Sequence, residues 1–281
     1  MLQDTPESHL RWIERRERDL RDPDGWLALV ALHWLPPGRS TITATGETTA
    51  DRLVLSGALA CPAVVLELDA ERLTVSPADG VDATLDRVPL SPDRPVPLND
   101  DRSGSPSVLR FGRLHVTHVH RQNRPALRVR DREAPTLVRF GGVPRFPFDP
   151  TAVVDARFEP APPDTTVPIT LITEHVEDHP VAGTLRFDLA GTACALLAER
   201  SGDGLFVVFG DATNRVAGSE GTYGGGRFLS LPGPDPDGRV KIDFNRAVNP
   251  PCSFTSHATC PTPPAPNRLP LMIRAGERRL L

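Results

Sequence analysis

The chemically reactive side chains of this sequence are concentrated near its end, in residues 243–264, DFNRAVNPPCSFTSHATCPTPP. Thiolates and imidazoles serve both as nucleophiles and as ligands of zinc. The spacing Cys252-x4-His257-x2-Cys260 matches neither the C-x2-C nor the H-x3-H arrangement that zinc sites commonly use. Three interpretations of the thiols stay open: buried structural groups, a redox or nucleophilic role that includes a disulfide, and contact with a metal or ligand.

A thiol-dependent enzyme needs a base and an orienting group beside its nucleophilic cysteine. Cys252 or Cys260 would be the nucleophile, with His257 as the base and Asn249 as the third group. Closeness in sequence does not establish this geometry. We therefore keep these four residues as candidate catalytic residues and leave open whether the protein is an enzyme.

A second group of candidate ligands is the histidine pair in HVTHVH, residues 115–120. Side chains alternate along a strand, so His118 and His120 share one face while His115 points to the other. Two imidazoles two residues apart can converge on one metal ion. The glutamate that cupin-type barrels add a few residues later is absent, and we favour polar strand residues over a metal site here.

A third feature is the glycine-rich stretch GTYGGGRF, residues 221–228, which contains the single tyrosine, Tyr223. Three consecutive glycines predict a sharp bend at 224–226. The residues after it are predicted to form a hairpin, with strands 227–231 and 239–245 paired around Asp235. This register puts Arg227 opposite Asp243 and predicts an ion pair between them.

The predicted hairpin brings together the polar side chains that we expect to bind a ligand. They are Tyr223, Arg227, Asp243, Asn245 and Arg246. In this arrangement Arg227 would recognise a carboxylate or a phosphate, because a guanidinium matches both in a forked geometry.

The elements that position these residues are mostly short strands. Thr5 and Pro6 predict the start of an amphipathic helix that ends before Asp22, and the apolar segment GWLALVALHWL follows as a buried docking segment. β-prone runs with turn residues every 8 to 12 positions then continue in two blocks, which is typical of antiparallel sandwiches or barrels.

The expected fold class is mainly β, with an N-terminal helix, a small antiparallel β-sandwich and a second antiparallel β-barrel or sandwich. The expected domain boundaries are 1–36 for the helix and docking segment, 37–131 for the small sandwich, 132–148 for a packed linker and 149–281 for the C-terminal β-rich domain.

Composition limits the partners. The net charge of −4 and the pI near 6.1 argue against nucleic acid. The sequence has neither a secretory signal nor a long apolar stretch, so we expect a cytoplasmic protein without membrane association. Four cysteines are too few for a disulfide framework. We predict no cofactor, with His118 and His120 as the alternative metal ligands, and leave the oligomeric state open.

Two stretches resemble a known family. GTYGGGRFL and KIDFNRAVNPPCSFTSHATCPTPPAPNRLPLMIRAGE are similar to the domain of unknown function 1684, as are, more loosely, DGWLALVALHWL and LRVRD. The family core D-F-N-[RK]-A-Y-N-P-P-C corresponds to residues 243–252. This sequence departs from it at Val248, where the family usually has tyrosine, and at His257, where an aromatic residue is more common. The resemblance carries no assigned activity.

Residues 35–112 resemble a degenerate forkhead-associated β-sandwich. Gly38-Arg39 before a strand, the run Leu53-Val54-Leu55 and the closing Val108-Leu109-Arg110-Phe111-Gly112 occur in about the same order. The serine and histidine with which that family grips phosphothreonine are missing, so the resemblance implies the scaffold and not phosphopeptide binding.

Taken together, the sequence favours a small-molecule-binding β module with a polar pocket near Arg227 and Asp243. The alternative is a hydrolase or thiol-dependent enzyme that uses Cys252 or Cys260 with His257.

Overall fold

The computed structural model describes residues 5–55 and 63–280. The chain divides into two compact units. One comprises Leu20–Phe140 and is called the N-terminal unit below. The other comprises Met1–Asp19 and Gly141–Leu281 and is called the C-terminal unit.

The predicted helix is confirmed as α1, Pro6–Leu20. The Thr5 side chain accepts a hydrogen bond from the amide of Ser8 at 3.2 Å, which satisfies one of the free N–H groups of the first turn. The helix is held by its basic and acidic side chains. Arg16 donates to Glu277 at 3.0 Å, and Glu17 accepts from Arg145 at 2.8 Å.

Besides a turn of 3-10 helix at Asp101–Ser103, the described part of the N-terminal unit has eleven strands and one short α-helix. They are β1 Leu29–Trp34, β2 Gly38–Thr43, β3 Arg52–Val54, β4 Val64–Asp69, β5 Arg72–Pro77, β6 Ala83–Leu85, β7 Val88–Pro89, β8 Val96–Leu98, β9 Val108–Phe111, β10 Leu114–Arg121, β11 Arg124–Asp131 and α2 Pro135–Val138.

These strands form two sheets around one apolar core. The six-stranded sheet has the order β1-β11-β10-β9-β6-β7, and the five-stranded sheet has the order β3-β2-β4-β5-β8. Buried side chains from both sheets, among them Leu66, Leu73, Leu109 and Val116, belong to the same core. The apolar docking segment supplies β1, which pairs with β11.

The C-terminal unit adds eight strands within the described part of the chain. They are β12 Val153–Pro160, β13 Thr166–Thr170, β14 Val176–Pro180, β15 Gly183–Leu189, β16 Thr192–Ser201, β17 Gly204–Phe209, β18 Arg227–Leu231 and β19 Arg239–Asp243.

Six of these strands form one sheet in the order β18-β17-β16-β15-β12-β19, and β13 and β14 form a separate pair. The predicted strands at 227 and 239 exist, but the predicted hairpin between them is wrong. β18 pairs with β17 and β19 pairs with β12, so the two strands are opposite edges of the sheet. Each strand instead pairs with an earlier strand, and these pairings build one six-stranded sheet around a shared core.

The two edges meet at one point. Phe228 and Val248 exchange two backbone hydrogen bonds of 2.9 Å, so the segment after β19 is joined to β18. The sheet therefore curves around its core, to which both edges contribute Leu229, Leu231, Val240 and Ile242.

The fold is thus mainly β, with an N-terminal helix and antiparallel sheets, as the sequence predicted. A single parallel pairing, between β2 and β3, occurs among the described strands. None of the described helices has the length and apolar character that crossing a membrane requires.

Candidate functional site

A cavity of about 720 Å³ opens where the edge strands β18 and β19 face each other without a hydrogen-bonded ladder. Its apolar side is formed by Leu231, Pro232 and Val240. Six charged residues also line it: Asp155, Asp235, Arg239, Lys241, Asp243 and Arg246. We call this space the edge cavity.

Four of the six charged residues of the edge cavity form two ion pairs. Arg246 Nε lies 3.1 Å from Asp243 Oδ2, and Lys241 Nζ lies 3.6 Å from Asp155 Oδ1. Asp155 and Lys241 are opposite each other across β12 and β19, which explains their contact. The side chain of Lys241 is half exposed, so its ammonium can reach a molecule in the cavity.

Asp243 is fixed by the short helical turn that follows β19. Its Oδ1 accepts hydrogen bonds from the backbone and side-chain nitrogens of Asn245, both at 2.9 Å. Asn245 is itself buried, and it binds the backbone nitrogen and oxygen of Asp149 at 2.9 and 2.8 Å. The carboxylate of Asp243 is therefore held with its second oxygen directed at Arg246.

Arg227 lies away from the edge cavity, and the predicted ion pair between Arg227 and Asp243 is wrong. The Arg227 side chain is fully buried, and its Nη2 contacts Asp211 Oδ2 at 2.6 Å and the carbonyl oxygen of Ile273 at 3.0 Å. Its Nη1 donates to the carbonyl oxygen of Ala275. Burial lowers the pKa of the guanidinium, and the charge of Asp211 opposes this effect.

The pairing fails for a geometric reason. Arg227 is the first residue of β18 and its side chain points into the sheet's core, where Asp211 meets it. Asp243 instead pairs with a residue three positions later in its own turn. The predicted register required a hairpin that does not form.

Tyr223 and the glycine bend belong to the packing around the thiols. The Tyr223 hydroxyl donates to the carbonyl oxygen of Cys252 at 3.3 Å. Burial, followed by a side-chain hydrogen bond with Cys252, raises the pKa of Tyr223. A Cβ atom on Gly226 would lie 2.3 Å from Pro263 Cγ, and one on Gly225 would lie 2.5 Å from the Tyr223 ring. The glycines are thus required by close packing.

The candidate catalytic thiols are neighbours. The backbone nitrogen of Cys252 donates to Cys260 Sγ at 3.2 Å. The side-chain hydrogen bond with Cys260 lowers the pKa of Cys252, although burial opposes the change. Both cysteines are free, with Cys260 buried and Cys252 half-buried.

The surroundings of His257 and Asn249 differ. Burial lowers the pKa of His257, and its backbone nitrogen binds the side chain of Thr255 at 3.2 Å. Asn249 is buried and donates from Nδ2 to the carbonyl oxygen of Arg278 at 2.8 Å and from its backbone nitrogen to Glu277 at 2.6 Å. Its polar groups therefore tie two segments of the fold together.

Sequence reasoning missed most of the edge cavity's charged side chains, namely Asp155, Asp235, Arg239 and Lys241. One signal was present, because Lys241 is the single lysine of the chain. In the N-terminal unit, Asp100 joins His118 and His120 in the only group of three candidate metal ligands found among the described residues. Nothing in the local sequence connected Asp100 with them.

Comparisons with known proteins support a family assignment. The model of the family described as "Protein of unknown function (DUF1684)" matches residues 138–278. A solution NMR structure of the uncharacterised protein from gene locus rrnAC0354 of Haloarcula marismortui is similar at 32% identity and a TM-score of 0.40. The similarity covers 50% of this chain and 77% of that one. No curated protein matches.

The match of the family model begins before β12 and includes every residue of the edge cavity as well as both candidate thiols. The C-terminal unit is therefore the part of the molecule that carries the family's features, and the chain belongs to the family of proteins of unknown function DUF1684.

Proposed function

We propose that this protein is a small-molecule-binding β module whose ligand occupies the edge cavity. The observation that carries the proposal is a space of about 720 Å³, lined by six charged residues that include two ion pairs, at the place where the sheet's two edges lack a ladder. Binding sites for small molecules have volumes of about 300–1,000 Å³ and combine apolar walls with a few polar groups.

The charges of the edge cavity favour a ligand with an anionic group. The carboxylate of Asp243 already accepts two hydrogen bonds from Asn245 and faces Arg246. Lys241, in contrast, has as its carboxylate partner the largely exposed Asp155, at 3.6 Å. An exposed pair of this kind contributes little free energy, so a ligand carboxylate or phosphate can replace Asp155 at small cost.

The backbone of β18 adds a second kind of contact. Phe228 directs its N–H and C=O groups away from β17, toward Val248. Because these directions alternate along a strand, the N–H and C=O groups of Ser230 point to the same side, where Ser230 lines the cavity. A ligand that carries both an anionic group and a polar amide or hydroxyl would use both.

A thermal-shift screen tests this proposal. Small carboxylates and phosphates would be compared with their uncharged amides and esters on the wild-type protein. We expect the anionic compounds to raise the melting temperature and Lys241→Gln to reduce their affinity roughly tenfold, the value of one charged hydrogen bond.

The matched control is Arg186→Gln. Arg186 is also an exposed cation on the same sheet, paired with Glu159 at 2.6 Å, but it does not line the cavity. Anions that stabilise wild type and Lys241→Gln equally would refute the proposed site.

A second candidate function, thiol chemistry, has one observation in its favour. The hydrogen bond from Cys260 lowers the pKa of Cys252. A thiolate is the nucleophilic form of cysteine. Native labelling with an alkylating agent distinguishes the two functions: Cys252 reacting faster than Cys194 in the folded protein supports thiol chemistry, and reaction of both only after unfolding removes it.

The same proposal has two further parts: the partner is a small molecule and not nucleic acid, and the protein is located in the cytoplasm. A net charge of −4 supports the first. The free thiols at Cys194, Cys252 and Cys260 support the second, because two neighbouring cysteines stay reduced more readily in the cytoplasm.

A further inference from the structure

The N-terminal unit contains a group of three side chains that no comparison assigns a role. His118 and His120 alternate with Val119 on β10 and therefore share a face. Asp100 follows β8 by two residues and forms a parallel bridge with His118. One ligand atom from each of the three lies within 4.8 Å of the others.

The imidazole ring of His118 is buried among groups that offer it few hydrogen-bond partners. Only 1% of its surface is exposed, and neither ring nitrogen makes a hydrogen bond of acceptable geometry within the described part of the chain, although the backbone of Leu98 is close enough to act on its pKa. A buried imidazole normally pairs at least one nitrogen. Imidazole binds metals through a ring nitrogen, and both nitrogens of His118 are buried without a hydrogen-bond partner of acceptable geometry in the described part of the chain.

His120 and Asp100 complete the arrangement. Nε2 of His120 is buried without a hydrogen bond and lies 3.6 Å from Asp100 Oδ2. Arg102 donates to both carboxylate oxygens of Asp100, from its backbone nitrogen to Oδ1 at 3.0 Å and from Nε to Oδ2 at 2.9 Å. Two imidazoles and one carboxylate are a common ligand set for zinc and for other divalent first-row transition metals.

We propose that Asp100, His118 and His120 bind a divalent transition-metal ion, with Zn²⁺ as the best chemical match. Zinc–ligand bonds of about 2.0–2.2 Å at tetrahedral angles place ligand atoms about 3.3 Å apart. The three atoms therefore approach one another by about 1.5 Å or less when the ion binds. Three protein ligands leave one tetrahedral position for water or a small ligand.

Arg102 competes with the ion for Asp100. Its Nη2 lies 2.7 Å from Asp100 Oδ2, and its backbone nitrogen binds Oδ1 at 3.0 Å. The Arg102 side chain is half exposed and also contacts Glu71 at 3.2 Å, so it can turn away from Asp100 and keep a carboxylate partner. Replacing Arg102 should strengthen metal binding, which a purely structural role of the three side chains would not produce.

Cobalt(II) titration of the full-length, chelator-treated protein tests the site, with Co²⁺ as a coloured substitute for Zn²⁺. We expect one ion per chain with absorption typical of tetrahedral nitrogen and oxygen ligation, and displacement by Zn²⁺. His120→Ala and Asp100→Asn should each weaken binding by at least about tenfold, since even loss of a residue behind the ligands has that effect. Arg102→Gln should tighten it.

The matched control is His115→Ala. His115 lies on the same strand but faces the other way, where it contacts Asp24, so its replacement should leave Co²⁺ affinity unchanged. His120→Ala is preferred to His118→Ala, because the His120 side chain is 12% exposed, whereas removal of the fully buried His118 ring would leave a cavity in the core.

Two results would overturn the proposal: no stoichiometric Co²⁺ or Zn²⁺ binding, or binding that is equal in wild type, Asp100→Asn and His120→Ala. The site belongs to the N-terminal unit, and its failure would leave the proposed ligand of the edge cavity unaffected.

Discussion

Arg227 should be required for stability and should play no direct part in ligand binding. Its fully buried guanidinium contacts the Asp211 carboxylate and the carbonyl oxygens of Ile273 and Ala275. Arg227→Met keeps most of the apolar volume but leaves the Asp211 carboxylate buried without its cation.

The magnitude follows from that unpaired charge. Removing one partner of a buried ion pair lowers the free energy of unfolding by about 3–5 kcal/mol. Each kcal/mol lowers the melting temperature of a domain of this size by about 2–4 °C, so we expect a fall of roughly 6–20 °C. Asp211 still accepts hydrogen bonds from Thr213 at 2.8 and 2.5 Å, which places the expected value toward the lower end.

Scanning calorimetry provides the assay, with Arg186→Met as the control for an exposed arginine. Combining Arg227→Met with Asp211→Asn should recover part of the loss, because the second change removes the buried charge. A melting temperature within about 2 °C of wild type, or a double variant as unstable as the sum of the single variants, would refute the reasoning.

Two further outcomes are expected. Gly226→Ala should destabilise the protein by about 3 kcal/mol or more, because φ is +90° and the new Cβ would lie 2.3 Å from Pro263 Cγ and 2.7 Å from Phe209 O. Gly218→Ala, with φ of +69° and no atom within 4 Å of the new Cβ, should cost only about 1–2 kcal/mol. Equal melting temperatures of the two variants would contradict this account. The free energy of unfolding should fall as the pH drops below 6.5. Burial lowers the pKa of His9 and of His33 in the folded protein, so the unfolded chain binds more protons in this range. Urea unfolding at pH 7.5 and 5.5 measures the change, and a protein that is more stable at pH 5.5 would contradict the prediction.

Much of the local structure could be predicted from the sequence. The Thr5-Pro6 start and the spacing of apolar residues predicted α1, and the short runs between turn residues predicted β18 and β19. These elements depend on local preferences and on burial of one face, which the sequence records directly.

The pairing of the strands could not be predicted from the sequence as well as their positions. β18 and β19 are separated by a short loop, so a hairpin is the simplest expectation, yet each pairs with a strand that comes earlier in the chain. Which strands pair depends on the packing of the whole sheet, and the local sequence does not record that packing. The error in the partner of Arg227 follows from the wrong pairing.

The two candidate binding sites show the same limit. The edge cavity exists because β18 and β19 do not pair. The hairpin predicted from the sequence would have closed this space, so the cavity could not be predicted with it. Asp100 reaches His118 because β8 and β10 belong to different sheets whose ends come together at that bridge. Neither the cavity nor the contact between Asp100 and His118 leaves a pattern in the local sequence. The spacing of His118 and His120 on one strand does.

The most direct test of the proposed function uses the fact that Lys241 is the single lysine. Reductive methylation with ¹³C-formaldehyde keeps the charge of the side chain and labels only Lys241 and the terminal amine. Small carboxylates and phosphates that raise the melting temperature would then be titrated while the NMR signal of the Lys241 methyl groups is recorded. We predict a saturable shift of that signal at the concentrations that stabilise the protein. An unchanged Lys241 signal at saturating, stabilising anion would contradict binding in the edge cavity.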